Sequence, residues 1–297
     1  MHTLIQQFVT QGLTLTDGAW GTEFQARGLE AGECPDVWNL THPERVEQVA
    51  RAYVEAGSQV ILTNTFQANR LALAGHGHAS QVDEINRRGV EISQRAAAGR
   101  AHVFASLGPS GKLLMMGEVS EEDLRAAYTE QTQALARAGA DALIFETMSD
   151  LAEAKVGVQA ARATGLPVIV SLAFDSGKNH DRTMMGVTPE EAAAELTAVG
   201  ADVIGANCGQ GIESYAPLAK RLHDATALPL WIKPNAGLPE LVDGRAQYKT
   251  TPEEFARHTA ALVAAGASFL GGCCGTNPDF IRALHFALGR GSAADRT

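Results

Sequence analysis

Short apolar runs alternate with longer amphipathic segments along the whole chain. The apolar runs cover residues 13–16, 60–63, 103–107, 142–146, 167–173, 203–207, 230–233 and 269–272. Several are rich in β-branched residues, and none alternates cleanly with polar positions. Such runs suit strands buried on both faces. Between them, segments such as 43–56, 120–138, 188–199 and 251–265 carry acidic residues in the first turn and apolar residues at three- and four-residue spacing. That is the pattern of a helix with one buried face. Thr188-Pro189-Glu190-Glu191 and Thr251-Pro252-Glu253-Glu254 each set a capping hydroxyl, a proline at the first helical position and carboxylates near the positive end of the helix dipole. Strand and helix alternating eight times predicts an α/β fold, a single-domain (β/α)8 TIM barrel.

An internal echo supports this. Ala56-Gly57, Ala138-Gly139, Val199-Gly200 and Ala265-Gly266 each precede an apolar run that finishes in small or polar residues. In each copy a helix ends at a glycine suited to a left-handed cap. Counting eight residues on from each glycine gives Thr65, Thr147, Cys208 and Cys274. In a barrel these positions fall at the C-terminal mouth, the face that carries the chemistry of barrel enzymes.

Composition narrows the class without changing the fold. The chain has 297 residues, 45% of them hydrophobic and 20% charged. That is ordinary for a globular domain and excludes a disordered chain. A net charge of −10 disfavours non-specific nucleic-acid binding. No apolar run approaches the length of a membrane span, and the first residues lack the basic and apolar pattern of a secretory signal. A cytoplasmic location is therefore expected, where cysteines stay free or hold metal. Residues 1–288 read as one barrel and residues 289–297 as a polar tail.

Three of the four cysteines, Cys208, Cys273 and Cys274, fall at the ends of the sixth and eighth strands. A closed barrel brings those ends together. Three thiolates at one point suit Zn²⁺ in tetrahedral geometry, with a fourth position open as in a catalytic site. Gly209, Gly271, Gly272 and Gly275 flank them and allow close backbone approach. Adjacent ligands Cys273 and Cys274 require a bend, because alternate strand residues point opposite ways. Such a zinc is a weak Lewis acid for carbonyls but binds a further thiol as its thiolate. The chemistry expected is alkylation of a substrate thiol at sulfur. Cys34, in the loop after the first strand, reads as a plain loop cysteine.

The other strand ends suit a small amino acid. The turn Asp17-Gly18-Ala19 presents backbone N–H groups that can bind a carboxylate. Glu146, beside an apolar run, can accept hydrogen bonds from an α-ammonium group. Thr63, Asn64 and Thr65 supply hydroxyls and an amide at the mouth, and Asn235 follows the seventh strand between the two cysteine-bearing ones. Asn235 is a candidate to occupy or support the fourth metal position before substrate binds. None of the nine histidines terminates a strand. Met115-Met116 and Met184-Met185 read as packing or lid residues.

Gly205-Ala206-Asn207-Cys208 with Gly271-Gly272-Cys273-Cys274-Gly275-Thr276 resembles the signature of the homocysteine S-methyltransferase family. The Asp17–Thr22 turn, Thr63-Asn64-Thr65-Phe66 and Phe145-Glu146-Thr147 match that family in order and spacing, so the resemblance spans nearly the whole chain. It implies a zinc-bearing barrel with Cys208, Cys273 and Cys274 as ligands and homocysteine as methyl acceptor. It also implies that Glu146 and the Asp17–Ala19 turn hold the amino-acid end, and that methionine is the product. Family members take the methyl group from S-methylmethionine or S-adenosylmethionine, from betaine, or from methylcobalamin. The segment Lys233-Pro234-Asn235-Ala236-Gly237-Leu238-Pro239 is similar to the homocysteine module of cobalamin-dependent methionine synthase. A chain of 297 residues has no room for that enzyme's further modules. Methylcobalamin would then arrive free or on a separate corrinoid protein, and the alternative donor is a small sulfonium or ammonium compound.

Two other readings compete. A zinc-dependent lyase or aldolase would need a hard metal site with histidine or carboxylate ligands, and the strand ends carry no histidine. A non-catalytic zinc protein would close the metal with a fourth thiolate such as Cys34.

Overall fold

The computed structural model describes residues 1–242 and 245–290, and among these no helix is long and apolar enough to cross a membrane. Among the described residues ten strands follow one another: β1 (Thr14–Leu15), β2 (Val60–Ile61), β3 (His102–Leu107), β4 (Ala142–Met148), β5 (Val168–Leu172), β6 (Val203–Gly211), β7 (Leu230–Asn235), β8 (Glu240–Val242), β9 (Arg245–Gln247) and β10 (Ala267–Leu270). Eight of them are parallel neighbours in the order β1-β10-β7-β6-β5-β4-β3-β2. The ring closes between β1 and β2 partly through side chains. The Gln59 N–H donates to Leu15 O at 2.8 Å, the Leu15 N–H to Gln59 Oε1 at 3.1 Å, and the Leu62 N–H to Asp17 Oδ2 at 2.7 Å. The result is the (β/α)8 barrel expected from the alternating pattern, in one domain.

Burial on both faces of the eight barrel strands makes two cores. The outer core lies between strands and helices. The inner one is formed by Val60, Leu62, Phe104, Ala142, Ile144, Ile169, Val203, Trp231 and Phe269, and Ile5 and Phe8 of the helix Thr3–Thr10 plug its lower end. Side chains alternate across a strand, so two residues on from these apolar positions come Ser106, Glu146, Ser171, Gly205 and Lys233. The interior therefore turns from apolar to polar towards the mouth. Gly205 is obligatory for space: a Cβ there would run into the carbonyl of Trp231 on the neighbouring strand.

The helices Pro43–Glu55, Glu121–Arg137 and Pro189–Val199 occupy the expected segments, with capping boxes at Thr188 and Thr251. Gly57, Gly139, Gly200 and Gly266 all have φ between 90° and 102°, the left-handed caps read from the echo. The segment 251–265 differs: it is two helices, Pro252–Ala256 and Thr259–Ala264. The Thr259 hydroxyl donates to Ala256 O, which competes with continuous helix there. The antiparallel hairpin β8–β9, inserted after β7, was also not foreseen. The polar tail expected at 289–297 falls, from residue 291 on, outside the described residues.

Candidate active site

Two breaks in strand register build the site. Pairing of β4 with β5 slips between Phe145 and Met148, and pairing of β6 with β7 slips between Asn207 and Gly211. Within these slips Thr147 has φ 60° and Cys208 φ 62°, left-handed values that cost a non-glycine residue about 1 kcal/mol or more. The strain turns the Cys208 thiol towards β10. There β10 ends at Leu270, but the Gly271 and Cys273 N–H groups still donate to Ile232 O and Pro234 O of β7, and Cys273 and Cys274 both reach the cluster.

The three sulfurs lie within 4.8 Å of one another, and Cys208 Sγ is 3.7 Å from Cys274 Sγ. Tetrahedral sulfur ligands about 2.3 Å from zinc stand about 3.8 Å apart. The donor set, its spacing and its open side thus fit a tetrahedral zinc with one exchangeable position. Without a cation the cluster cannot ionise fully. Hydrogen bonds from Cys273 and then Cys274 lower Cys208 to about 3. The hydrogen bond to Cys208 raises Cys274 to about 12 and is also the first cause of the rise at Cys273. One proton leaves easily, and the others are held first by hydrogen bonding to Cys208, then by burial and like charge, which a divalent ion would relieve.

A second layer orients the sulfurs. The buried Asn207 amide donates to Cys273 Sγ at 3.7 Å, and Asn235 hydrogen-bonds the Cys208 thiolate. Tyr215 donates its hydroxyl proton to the Cys208 carbonyl. Half-buried Tyr248, just after β9, has its ring against Gly275 and a hydrogen bond to Cys274. Burial and then the charge of Cys274 push its phenol up to about 12.

The cluster forms one wall of a cavity of about 300 Å³. Gly18, Ala19, Thr63, Asn64, Glu146 and Lys233 line it, and Ser106, Thr147 and Asp36 complete the polar surface. Ser106 donates to Glu146 Oε1 at 2.5 Å. Burial raises the Glu146 carboxyl, while the charge of Lys233 and the Ser106 hydrogen bond oppose the rise. Three expected residues stand behind the surface. Asp17 is fully buried and accepts from Lys233 Nζ (2.5 Å), Trp20 Nε1 (2.7 Å) and the Leu62 N–H (2.7 Å). The Thr65 hydroxyl donates to Ser106 O at 2.7 Å. Asn235 stands beside Cys208, as noted above. The Ala19 N–H, expected to face a carboxylate, donates to Thr276 Oγ1 at 3.1 Å.

Cys34 is not brought to the cluster. It is buried at the start of the 3-10 turn Pro35–Val37, its thiol directed at Asp36 Oδ2 (3.8 Å), and burial followed by the Asp36 charge raises it to about 11. Met115 and Met116, in the 3-10 helix Leu114–Met116, and Met184, in a turn, are exposed, so packing does not account for them.

The model of the family described as homocysteine S-methyltransferase matches residues 14–288. The chain belongs to that family. Among curated relatives, methionine synthase of Mycobacterium leprae is 32% identical over 309 residues, covering 97% of this chain. Methionine synthase of Mycobacterium tuberculosis is 33% identical over 304 residues, covering 94%. The chain spans 25% of the length of either enzyme. Among solved structures, the metallated form of the homocysteine methyltransferase MmuM from Escherichia coli superposes with a TM-score of 0.79 at 26% identity, covering 95% of this chain and 99% of that one. The carboxyl transferase domain of Rhizobium etli pyruvate carboxylase, at 14% identity and a TM-score of 0.55, shares the fold alone.

Ser106, Asp36 and Tyr248 were not singled out from the sequence, and Asn207 and Lys233 were quoted only within longer motifs, with no role of their own. For Lys233 a signal existed: it is a charge inside the apolar run 230–233, which a strand buried on both faces does not tolerate unpaired.

Proposed function

We propose that the protein transfers a methyl group to the thiol of L-homocysteine, forming methionine, with zinc held by Cys208, Cys273 and Cys274. One observation carries this reading: a three-sulfur cluster with zinc-compatible spacing and Glu146 line the same cavity of about 300 Å³. Cavities for small ligands usually run from about 300 to 1,000 Å³, so this one lies at the small end. That supports a small sulfonium donor such as S-methylmethionine. A corrin ring is too broad for the cavity and would have to meet its rim.

Zinc bound at the three thiolates supplies the positive charge that holds a substrate thiol deprotonated near neutral pH. The remaining work falls to the chain. Glu146 accepts hydrogen bonds from the α-ammonium group and so fixes the acceptor's distance from the cluster. Asn207, Asn235 and Tyr248 hold the cysteine sulfurs in place. Positioning of the acceptor sulfur behind the donor methyl carbon makes the displacement effectively intramolecular. A carbon–sulfur bond forms to homocysteine as the donor's carbon–sulfur bond breaks. The leaving thioether keeps the bonding electron pair and departs neutral.

Four free cysteines, three of them in this cluster, suit a reducing compartment such as the cytoplasm. The absence of Cys34 from the cluster speaks against a closed structural metal site.

The test is methionine formation by the zinc-loaded protein with homocysteine held constant. S-methylmethionine, S-adenosylmethionine, betaine and methylcobalamin are offered in parallel. Turnover with a sulfonium supports the reading in full. Turnover with methylcobalamin alone replaces the donor and calls for a corrinoid partner. No methionine from any donor rejects the reaction.

A further inference from the structure

We propose that Tyr215 is a positioning residue of the metal site: its hydroxyl holds the Cys208 carbonyl and so keeps Cys208 in the left-handed conformation that aims its sulfur at Cys274. The proposal rests on the reading that the three cysteines hold zinc.

The direction of β6 makes such a clamp necessary. Along this strand Val203 packs into the inner core, while Ile204 and Ala206 pack into the outer one, against the helices. Asn207 opposes Lys233 of β7 on the inward face. Side chains alternate along a strand, so regular backbone would turn Cys208 outward, away from Cys273 and Cys274. Its sulfur instead joins theirs, and all three residues line the cavity. What reverses the direction is φ 62° at Cys208, followed by φ 70° at Gly209. Glycine adopts that conformation freely. Cysteine does not, and it needs contacts that hold it there.

Tyr215 supplies the contact. Cys208 lies inside the register slip between Asn207 and Gly211, where the ladder with β7 is interrupted. The Tyr215 hydroxyl donates to the Cys208 carbonyl at this point. Tyr215 opens the helix Tyr215–Ala225 after β6, is 1% exposed, and has its ring in the outer core. Close packing of the ring fixes where the hydroxyl stands. The other supports act elsewhere. Asn207 holds Thr147 and donates to Cys273 Sγ, and Asn235 meets the Cys208 sulfur once the backbone has delivered it. Of these groups, Tyr215 is the one that holds the Cys208 backbone.

Tyr215→Phe keeps the ring and removes the donor. Zinc affinity is read by competition with a chromophoric chelator, and the ligand set by cobalt(II) titrated into metal-free protein. The variant should bind zinc about 10–100-fold more weakly, as loss of a group that orients a ligand implies. Its thiolate-to-cobalt charge-transfer absorption should fall, because one sulfur has turned away. Installing 4-aminophenylalanine at position 215 restores a donor and should recover both. Tyr128→Phe is the control. It removes another buried hydroxyl, which donates to Gly108 O at 3.1 Å and Glu153 Oε1 at 2.8 Å, and it should leave metal binding unchanged. Wild-type zinc affinity and cobalt absorption in Tyr215→Phe would overturn the proposal. Equal weakening by Tyr128→Phe, or a Tyr215→Phe chain that does not fold even with zinc, would overturn it too, since the hydroxyl would then serve the fold alone. Wild-type protein that binds no zinc rejects the metal reading and the clamp with it. Wild-type protein that binds zinc but forms no methionine rejects the reaction alone, because neither readout needs turnover.

Discussion

The Asn207 amide and Thr147 are locked together by two hydrogen bonds: the Thr147 N–H donates to Asn207 Oδ1 at 2.8 Å, and Asn207 Nδ2 donates to Thr147 Oγ1 at 2.7 Å. The same amide accepts from Ser171 Oγ at 2.7 Å and donates to Cys273 Sγ. One side chain thus ties β4, β5 and β6 to the loop after β10, and it compensates the left-handed backbone of Thr147. Groups that orient metal ligands are typically worth 10–100-fold in metal affinity. Asn207→Ala should therefore weaken zinc binding by about that factor while all three cysteines remain. Competition with a chromophoric chelator measures it, and an unchanged affinity would remove Asn207 from the metal's support.

Removing a sulfur should be more severe. Cys273→Ser should lose most of the bound zinc and nearly all turnover, because a neutral serine hydroxyl is a far poorer zinc donor than the thiolate it replaces. Metal content after dialysis, followed by methionine formation, gives the answer. Full activity without metal would sink the mechanism.

Glu146 is expected to act on binding and not on the metal. Glu146→Gln should raise the homocysteine KM about tenfold or more, the worth of a charge-assisted hydrogen bond. Zinc content should stay at the wild-type level. A KM that does not move takes Glu146 out of the substrate site.

Asp36 makes stability depend on pH. It is fully buried, and burial raises it to about 6 against the Gln67 N–H that favours its charge. The folded state therefore holds this proton between about pH 4 and 6, where the unfolded chain has released it. Its contribution is complete below about pH 4 and fades as pH rises through about 6, by about 3 kcal/mol in all. Asp36→Asn keeps the acceptor for Gln67 and should flatten that part of the stability curve. Urea unfolding at pH 4, 5, 6 and 7 tests it; a slope that survives the substitution belongs to other groups.

Gly205 and Gly21 offer a contrast in packing. A Cβ on Gly205 meets the backbone of β7, whereas one on Gly21 meets nothing within 4 Å. Gly205→Ala should cost about 3 kcal/mol or more, since backbone cannot step aside as a side chain can. Gly21→Ala should be neutral or stabilising by up to about 1 kcal/mol. Denaturant midpoints compare the two directly, and similar midpoints would contradict the packing described for β6.

Much of the fold was legible because its determinants are local. A strand buried on both faces must be continuously apolar, a helix on its outer face must repeat every three or four residues, and each helix ending before a strand needs a left-handed cap. The runs at 142–146 and 203–207, the capping boxes at Thr188 and Thr251, and Gly57, Gly139, Gly200 and Gly266 satisfy these rules by themselves. The three cysteines were legible for a related reason: strand ends of a closed barrel must meet at one face. What the sequence could not decide was which inward side chains touch. That depends on the stagger of the closed sheet and on two register slips, which no periodicity records. Only closure sets Lys233 against Asp17, 216 residues away, and makes Asp17 a support for the barrel seam and the cavity floor. Only the slip after Asn207 turns Cys208 towards Cys274 and leaves the Asn207 amide to hold Thr147. The sequence determined the elements and the sulfur donors, and the tertiary structure decided which charges face the cavity, because pairing across a barrel is set by its geometry and not by neighbours along the chain.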